Sequence, residues 1–161
     1  MHGKEDKVWT TDQRNRLALE HRLLQAEGFG QFSIYWNRES DDYYGSGLAS
    51  SNSGSRYSLY LDIPYGFPLQ RPLLYVTDPR PLLMADGRWL SGIGVSHDMH
   101  TLMPSSNGCV QICHWRDDRW HAGINLYRVF LKALIWLEAY EQHLLTGRPI
   151  TQFVSTMGGG Q

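Results

Sequence analysis

The sequence has little cysteine, no excess of charge of one sign and no long apolar run. Its two cysteines, Cys109 and Cys113, lie four positions apart and make a poor disulfide framework. A formal net charge of -1 excludes the broad basic surface of a nucleic-acid-binding protein. No run approaches the roughly 18 apolar residues of a membrane span, and the first residues, MHGKEDKVW, hold no signal-peptide core. We therefore expect a cytoplasmic protein with reduced thiols and no membrane or nucleic-acid partner.

The length and composition favour one folded domain. The chain has 161 residues, of which 42% are apolar, and it contains six tryptophans. This is enough material to bury a substantial core in a single unit. We interpret residues 1–161 as one domain with flexible ends at about 1–9 and 151–161.

The hydrophobic pattern predicts an α+β fold built on an antiparallel meander sheet of about four strands. Apolar and aromatic runs place strands at 32–36, 43–48, 56–63 and 73–76. A period of 3.6 residues predicts an N-terminal helix over 10–27 and a long C-terminal helix over 125–146, which should flank the sheet. Three prolines in 64–72 predict a stiff, extended crossover, because each fixes φ and removes a backbone donor.

The C-terminal helix should turn one apolar stripe towards the core. Its apolar residues recur at spacings of three, four and seven: Leu126, Phe130, Ala133, Leu134, Leu137 and Leu144. The charged residues between them should face solvent, namely Arg128, Lys132, Glu138 and Glu141.

Most of the chemically reactive side chains lie in one stretch just before that helix. It contains both cysteines together with His97, His100 and His114. The short run 110–112 predicts a strand that delivers Cys113 to an exposed loop. A partly exposed thiol next to an imidazolium from His114 would have a lowered pKa and could act as a nucleophile. The alternative is a buried cysteine that serves only as a small apolar residue.

The same stretch also offers ligands for a zinc ion. Nitrogen and sulfur ligands are available from His97, His100, Cys109, Cys113 and His114. Adjacent residues such as Cys113 and His114 point to opposite faces of an extended segment, and the cysteine spacing differs from that of a zinc finger. We therefore expect no metal and no other cofactor, with a structural zinc site as an alternative.

The order and spacing of these motifs resemble the ubiquitin-conjugating enzymes, which accept ubiquitin as a cysteine thioester and pass it to a lysine. Residues 59–72 resemble the proline-rich crossover of that family. Residues 108–120 resemble its active site, in which a Gly, an Ile-Cys pair and a later Trp follow one another. The likeness spans about residues 10–147. It implies the family fold and a thioester on Cys113, seven residues before Trp120.

Two departures from the family pattern bear on the mechanism. The family has a His-Pro-Asn element whose Asn helps to hold the oxyanion, whereas residues 95–100 contain neither Pro nor Asn. Gly108 lies five residues before Cys113 rather than three, so Cys109 stays open as an alternative nucleophile. The catalytic residues implied are then Cys113 and three histidines that could supply the base or the oxyanion donor: His97, His100 and His114.

These departures, and the helix text KALIWLEAYEQHLLTGRPI, resemble the stand-alone bacterial members of the family found in cyclic-oligonucleotide antiphage defence operons. That resemblance implies a protein substrate, a nucleotidyltransferase of the same system that is modified through its C-terminus. The function expected is therefore that of an acyltransferase in antiviral defence. A catalytically inactive binding module with the same fold is a second possibility, and a structural zinc protein a third.

Overall fold

The computed structural model describes residues 8–154, and its centre is a six-stranded antiparallel sheet. The strands are β1 (Phe32–Asn37), β2 (Asp42–Ser50), β3 (Arg56–Ile63), β4 (Leu73–Asp78), β5 (Thr101–Leu102) and β6 (Val110–Ile112). They lie in the order β1-β2-β3-β4-β6-β5, so the first four form a meander that the last two extend. Together with an N-terminal and a long C-terminal helix, this sheet confirms the predicted α+β class.

The expected number of about four strands is wrong. The sequence predicted a strand at 110–112, which is β6, but did not count it as part of the sheet. Strand β5 is only two residues long, which is too short to display a period in the sequence. Both strands are defined by pairing with distant residues: Tyr75 of β4 pairs with Gln111 of β6, which also pairs with Leu102 of β5. The strand that precedes Cys113 is therefore an internal strand of the sheet, paired on both sides.

Both helices begin and end within one residue of their predicted limits. Helix α1 (Thr11–Ala26) starts with a capping box, in which Thr10 and Gln13 exchange side-chain and backbone hydrogen bonds. Helix α2 (Leu126–Thr146) is capped by the side chain of Asn125 and ends at Gly147, whose φ of 73° suits glycine. Three 3-10 helices lie outside these elements, at Leu90–Ile93, Asp117–Arg119 and Ile150–Gln152.

The core lies between α2 and one face of the meander. The alternation in β3 is confirmed, since Tyr57, Leu59, Leu61 and Ile63 are all buried. On α2 the predicted stripe is only partly right: Leu134 is half-buried and Leu144 is exposed. The buried positions are instead Leu126, Val129, Phe130, Ala133, Trp136, Leu137, Ala139, Tyr140 and His143. Aromatic residues fill the later turns of the helix, so the predicted stripe, which took leucines for those turns, leaves the buried face there.

The proline segment before β4 is compact rather than extended. Its backbone folds into turns, with Phe67 N donating to the carbonyl oxygen of Pro64 and Gln70 N donating to that of Gly66, each at 2.9 Å. The side chain of Gln13 in α1 donates to the carbonyl oxygen of Phe67 at 2.8 Å. The expectation of an extended crossover fails because neighbouring side chains and turn hydrogen bonds satisfy the polar backbone that the prolines leave available.

Residues near both predicted flexible ends are packed. Trp9 is buried and donates from Nε1 to the carbonyl oxygen of Asp41 at 2.7 Å. Val154 is also buried, and Thr151 N donates to the carbonyl oxygen of Asp98 at 2.8 Å. The remainder of the expected flexible ends, 1–7 and 155–161, lies outside the described residues. No helix within residues 8–154 combines the length and apolarity needed to cross a bilayer.

Candidate active site around Cys113

The two cysteines lie at opposite ends of β6 and in different environments. Cys113 immediately follows the strand, is half-buried, and donates from its backbone N to the carbonyl oxygen of His100 at 3.0 Å. Cys109 is buried, with 3% of its surface exposed, and its backbone exchanges hydrogen bonds with Ser105. Cys113 is therefore the more accessible of the two cysteines, and its predicted position at a strand end is confirmed.

His114 faces the interior and holds the chain in place. Its Nε2 donates to the carbonyl oxygen of Pro72 at 2.7 Å, since a carbonyl can only accept, and its Nδ1 has no partner among the described residues. Burial lowers the pKa of His114 to about 3, so the ring is neutral at neutral pH. The expected imidazolium next to Cys113 is thus absent, and the structure gives His114 a structural position rather than a catalytic one.

His97 and His100 lie in the segment just before β5. Their ring centroids are 5.8 Å apart, and His100 Nε2 is 3.3 Å from Oγ1 of Thr151. His100 adopts a φ of 49°, a left-handed conformation that is uncommon for a residue with a side chain. Burial, and then the charges of His97 and Lys132, lower the pKa of His100. A neutral imidazole is able to accept a proton.

No histidine is joined directly to the thiol. No described residue forms a hydrogen bond with Sγ of Cys113, although the backbone of His100 contacts the same residue. The structure therefore joins the backbone of His100 to that of Cys113 and places the ring of His97 beside the ring of His100. The role of either ring as a base stays a prediction.

Two half-buried cations that the sequence analysis did not single out lie near the thiol. Arg71 Nη1 donates to the carbonyl oxygen of Trp115 at 2.7 Å, and its Nε lies 3.6 Å from Oδ1 of Asp117. Lys132 of α2 places Nζ 3.5 Å from the centroid of the Trp115 ring, a cation–π contact. Both cations therefore lie against the residue that follows Cys113 by two positions.

Burial and charge act on the thiol in opposite directions. Burial is the largest effect and raises the pKa of Cys113 above its usual value, while the positive charges of Arg71, Lys132 and Arg116 lower it. The thiol is consequently the dominant form at neutral pH, in contrast to the expected low pKa. The cations limit the cost of forming the thiolate but do not remove it.

Lys132 was expected to face solvent, and this expectation is wrong because the helix period places it at the edge of the buried face. It lies three residues after Val129 and four before Trp136, both of which are fully buried. That spacing was the sequence signal that could have identified it. Nothing in the sequence pairs Arg71 with Trp115, because that contact depends on how the proline segment folds.

The side chains that could have bound zinc do not lie together in the described structure. Within residues 8–154, no three His, Cys, Asp or Glu side chains converge in a way that could hold a metal ion. His114 faces the carbonyl oxygen of Pro72, while Cys109 and Cys113 are separated by the length of β6. The cluster that looked compact in the sequence is thus dispersed by the strand.

A separate cavity of about 600 Å³ lies near the C-terminal end of α2, lined in part by Ala85, Asp86, Asp98 and His143. Both ring nitrogens of His143 are already occupied: Nε2 accepts from Ala85 N at 3.0 Å, and Nδ1 donates to the carbonyl oxygen of Arg148 at 2.8 Å. This histidine therefore fastens a loop to the helix and offers no free nitrogen to a ligand.

Comparison with known proteins assigns no family. No protein-family model matches the chain, and no curated protein matches it significantly. Function therefore has to be inferred from the residues and the geometry of the chain itself.

Proposed function

We propose that this protein is a ubiquitin-conjugating-like acyltransferase in which Cys113 carries the C-terminus of a partner protein as a thioester and transfers it to an amine. The observation that supports this most is the position of Cys113: a half-buried thiol at the end of a sheet strand, within the field of Arg71 and Lys132. Cations near a sulfur favour the negative charge that develops when it attacks a carbonyl.

The arrangement of elements agrees with the resemblance drawn from the sequence. Helix α1, the β1–β4 meander, the proline segment, the cysteine and the long helix α2 follow one another in the order that the resemblance implies. The proline segment also contacts the chain beyond the thiol, since Trp120 Nε1 donates to the carbonyl oxygen of Pro68 at 2.9 Å. We propose the ubiquitin-conjugating fold on this basis.

The chemistry requires two acyl transfers. In the first, the sulfur of Cys113 forms a bond to an activated C-terminal carbonyl, the bond to the leaving group breaks, and the thiol proton passes to a base or to that leaving group. In the second, an amine displaces the sulfur, which leaves as a thiolate, and the amine loses a proton. We propose His100 as the histidine that takes such a proton, because its backbone carbonyl accepts from Cys113 N and burial lowers the pKa of its ring.

The proposed partner is a cyclic-oligonucleotide-producing nucleotidyltransferase of an antiphage system, located with this protein in the bacterial cytoplasm. This part of the proposal rests on the family resemblance alone. The carbonyl would arrive already activated, as a thioester or an equivalent acyl donor.

The test uses the partner nucleotidyltransferase prepared with a chemically activated C-terminal thioester. The wild-type protein and the matched control Cys109→Ala should form an adduct that hydroxylamine or excess thiol cleaves, whereas Cys113→Ala should form none. Intact-mass measurement before and after hydroxylamine reads the result. An adduct that survives in Cys113→Ala and disappears in Cys109→Ala would show that the nucleophile has been misassigned.

A binding module without catalysis is the second candidate, and one observation favours it. Burial raises the pKa of Cys113, and no described side chain is hydrogen-bonded to its sulfur, so the thiol lacks an activating partner in this state. This alternative predicts that the partner binds the wild type and Cys113→Ala equally well and that no covalent adduct accumulates.

A further inference from the structure

Lys132 differs from every other cation in the described part of the chain. It is the only lysine between residues 8 and 154, and the only lysine or arginine there that is both shielded from solvent and without a carboxylate oxygen within 4.0 Å. Removing an ammonium group from water is costly unless another group compensates. Among the described residues, the ammonium contacts the face of Trp115, at 3.5 Å from the ring centroid.

A second positive charge shares the same ring. Arg128, one turn earlier in α2, places its guanidinium carbon 5.3 Å from the centroid of Trp115. Like charges four residues apart in a helix repel each other. Burial, and then Arg128, lower the pKa of Lys132, whereas a negative charge on Cys113 raises it. The arrangement is thus stabilised when an anion forms at the thiol.

The other two cations that lower the pKa of Cys113 each have a carboxylate oxygen within 4.0 Å. Arg71, from the proline segment, has Asp117 as a neighbour at 3.6 Å, and Arg116 is 3.0 Å from a carboxylate oxygen of Asp118. The adjacent ring of His114 is neutral, as described above, and His100 contributes its backbone carbonyl to Cys113 N. Arg71 lowers the pKa of Cys113 more than Lys132 does, and Lys132 is the cation among the three that has no carboxylate oxygen within 4.0 Å.

We propose that Lys132 is the positioning residue for Cys113: held against Trp115, its ammonium stabilises the thiolate and the negatively charged tetrahedral oxygen that forms when Cys113 attacks a carbonyl. In this step the thiol proton leaves to solvent or a base, a sulfur–carbon bond forms, and the carbonyl π electrons move onto oxygen. The oxyanion then collapses and expels the leaving group. Stabilisation of the thiolate concerns Cys113 alone, whereas stabilisation of the oxyanion rests on the proposed function.

The first test measures the alkylation of Cys113 by iodoacetamide from pH 6 to pH 10, with labelled peptides mapped by mass. Wild type is compared with Lys132→Met, which keeps the stem over Trp115 but removes the charge, and with Lys132→Arg, which keeps the charge. Arg128→Met is the matched control on the same ring. Thermal melting establishes that each variant is folded, and Lys132→Gln replaces Lys132→Met if the latter is not.

The expected result is a pH–rate profile that moves to higher pH in Lys132→Met and stays near the wild type in Lys132→Arg. If the pKa of Cys113 rises by about one, the thiolate fraction falls about tenfold. The remaining thiolate becomes roughly threefold more nucleophilic, so alkylation at pH 8 should slow about threefold. Arg128→Met should change the profile less, because Arg128 acts on Lys132 rather than on the thiol.

Identical profiles for the wild type and Lys132→Met would overturn the proposal, as would a Lys132→Arg profile equal to that of Lys132→Met. The second readout is single-turnover adduct formation with the activated partner, in which Lys132→Met should be slowed more than its alkylation is. Failure of the wild type to form any adduct would overturn the proposed acyltransferase function while leaving the alkylation result intact. The two failures are therefore distinguishable.

Discussion

A single step along the chain separates the residue that can react from the one that cannot. Cys113 is half-buried at the end of β6, whereas His114 turns into the core and donates to Pro72. The alternation of side chains in an extended segment predicted this divergence. The electrostatic consequence of this alternation was not predicted: it buries His114 and leaves the ring uncharged. The sign of the pKa change at Cys113 was missed because burial of the thiol raises its pKa by more than the nearby positive charges lower it.

The two cysteines should differ sharply in alkylation. Iodoacetamide should label Cys113 in the folded protein, while Cys109, with 3% of its surface exposed, should remain mostly unmodified until the protein unfolds. Because the pKa of Cys113 is raised above its reference of 9.0, its labelling rate should keep rising between pH 7 and pH 9 without a plateau. Mass-mapped labelling time courses, with and without denaturant, provide the measurement. Preferential labelling of Cys109 in the folded state would contradict the burial described here.

At the scale of elements, signals local to the sequence predicted well and signals that depend on distant partners did not. The caps Thr10 and Asn125 and the stop at Gly147 located both helices. Strand β5 was not predicted, and β6, although predicted at 110–112, was not counted in the sheet because only its pairing with distant residues places it there. The link between the helices was equally hidden: Glu20 of α1 is buried and accepts from Leu126 N at 2.7 Å, an anion placed at the start of α2.

The corrected stripe of α2 separates two leucines that the sequence treated alike. Leu137 is buried with 1% of its surface exposed, and Leu134 is only half-buried. Leu137→Ala should destabilise the fold by about 2–5 kcal/mol, because it leaves a cavity, and Leu134→Ala should cost clearly less. Leu145→Ala is the control, since Leu145 is 80% exposed and should change stability by no more than about 0.5 kcal/mol. Urea midpoints at a common slope give the comparison, and equal losses for Leu134 and Leu137 would show that the helix is turned differently.

At the scale of the whole molecule, the order of helices and strands was predictable, but the hydrogen bonds that hold distant segments together were not. The proline segment and the chain after β6 are joined by three contacts: His114 to Pro72, Trp120 to Pro68, and Arg71 to the carbonyl of Trp115. Each is a side-chain bond to a backbone carbonyl about 40 to 50 positions away in the chain. Such bonds leave no periodicity to detect, yet they define the surroundings of Cys113.

The attachment through His114 makes the stability of the whole fold depend on pH. Burial lowers the pKa of this ring from 6.5 to about 3, so between these values the unfolded chain binds a proton that the folded protein does not. Above pH 6.5 this ring does not reduce the free energy of unfolding. The free energy of unfolding falls as the pH decreases from 6.5 and reaches its lower limit below about pH 3. The slope should approach about 1.4 kcal/mol per pH unit, and the whole loss should be roughly 5 kcal/mol.

Urea unfolding at pH 7, 5 and 4 should therefore show a steeper loss of stability in the wild type than in His114→Gln. The glutamine keeps an N–H able to reach the carbonyl of Pro72 but cannot take up a proton, so the pH dependence should flatten even if stability at pH 7 is lower. His121→Gln is the matched control, because His121 is exposed and its removal should leave the slope unchanged. Parallel stability curves for the wild type and His114→Gln would mean that His114 is protonated as readily in the folded protein as in the unfolded chain, and that the ring is not sealed between the strand end and the proline segment.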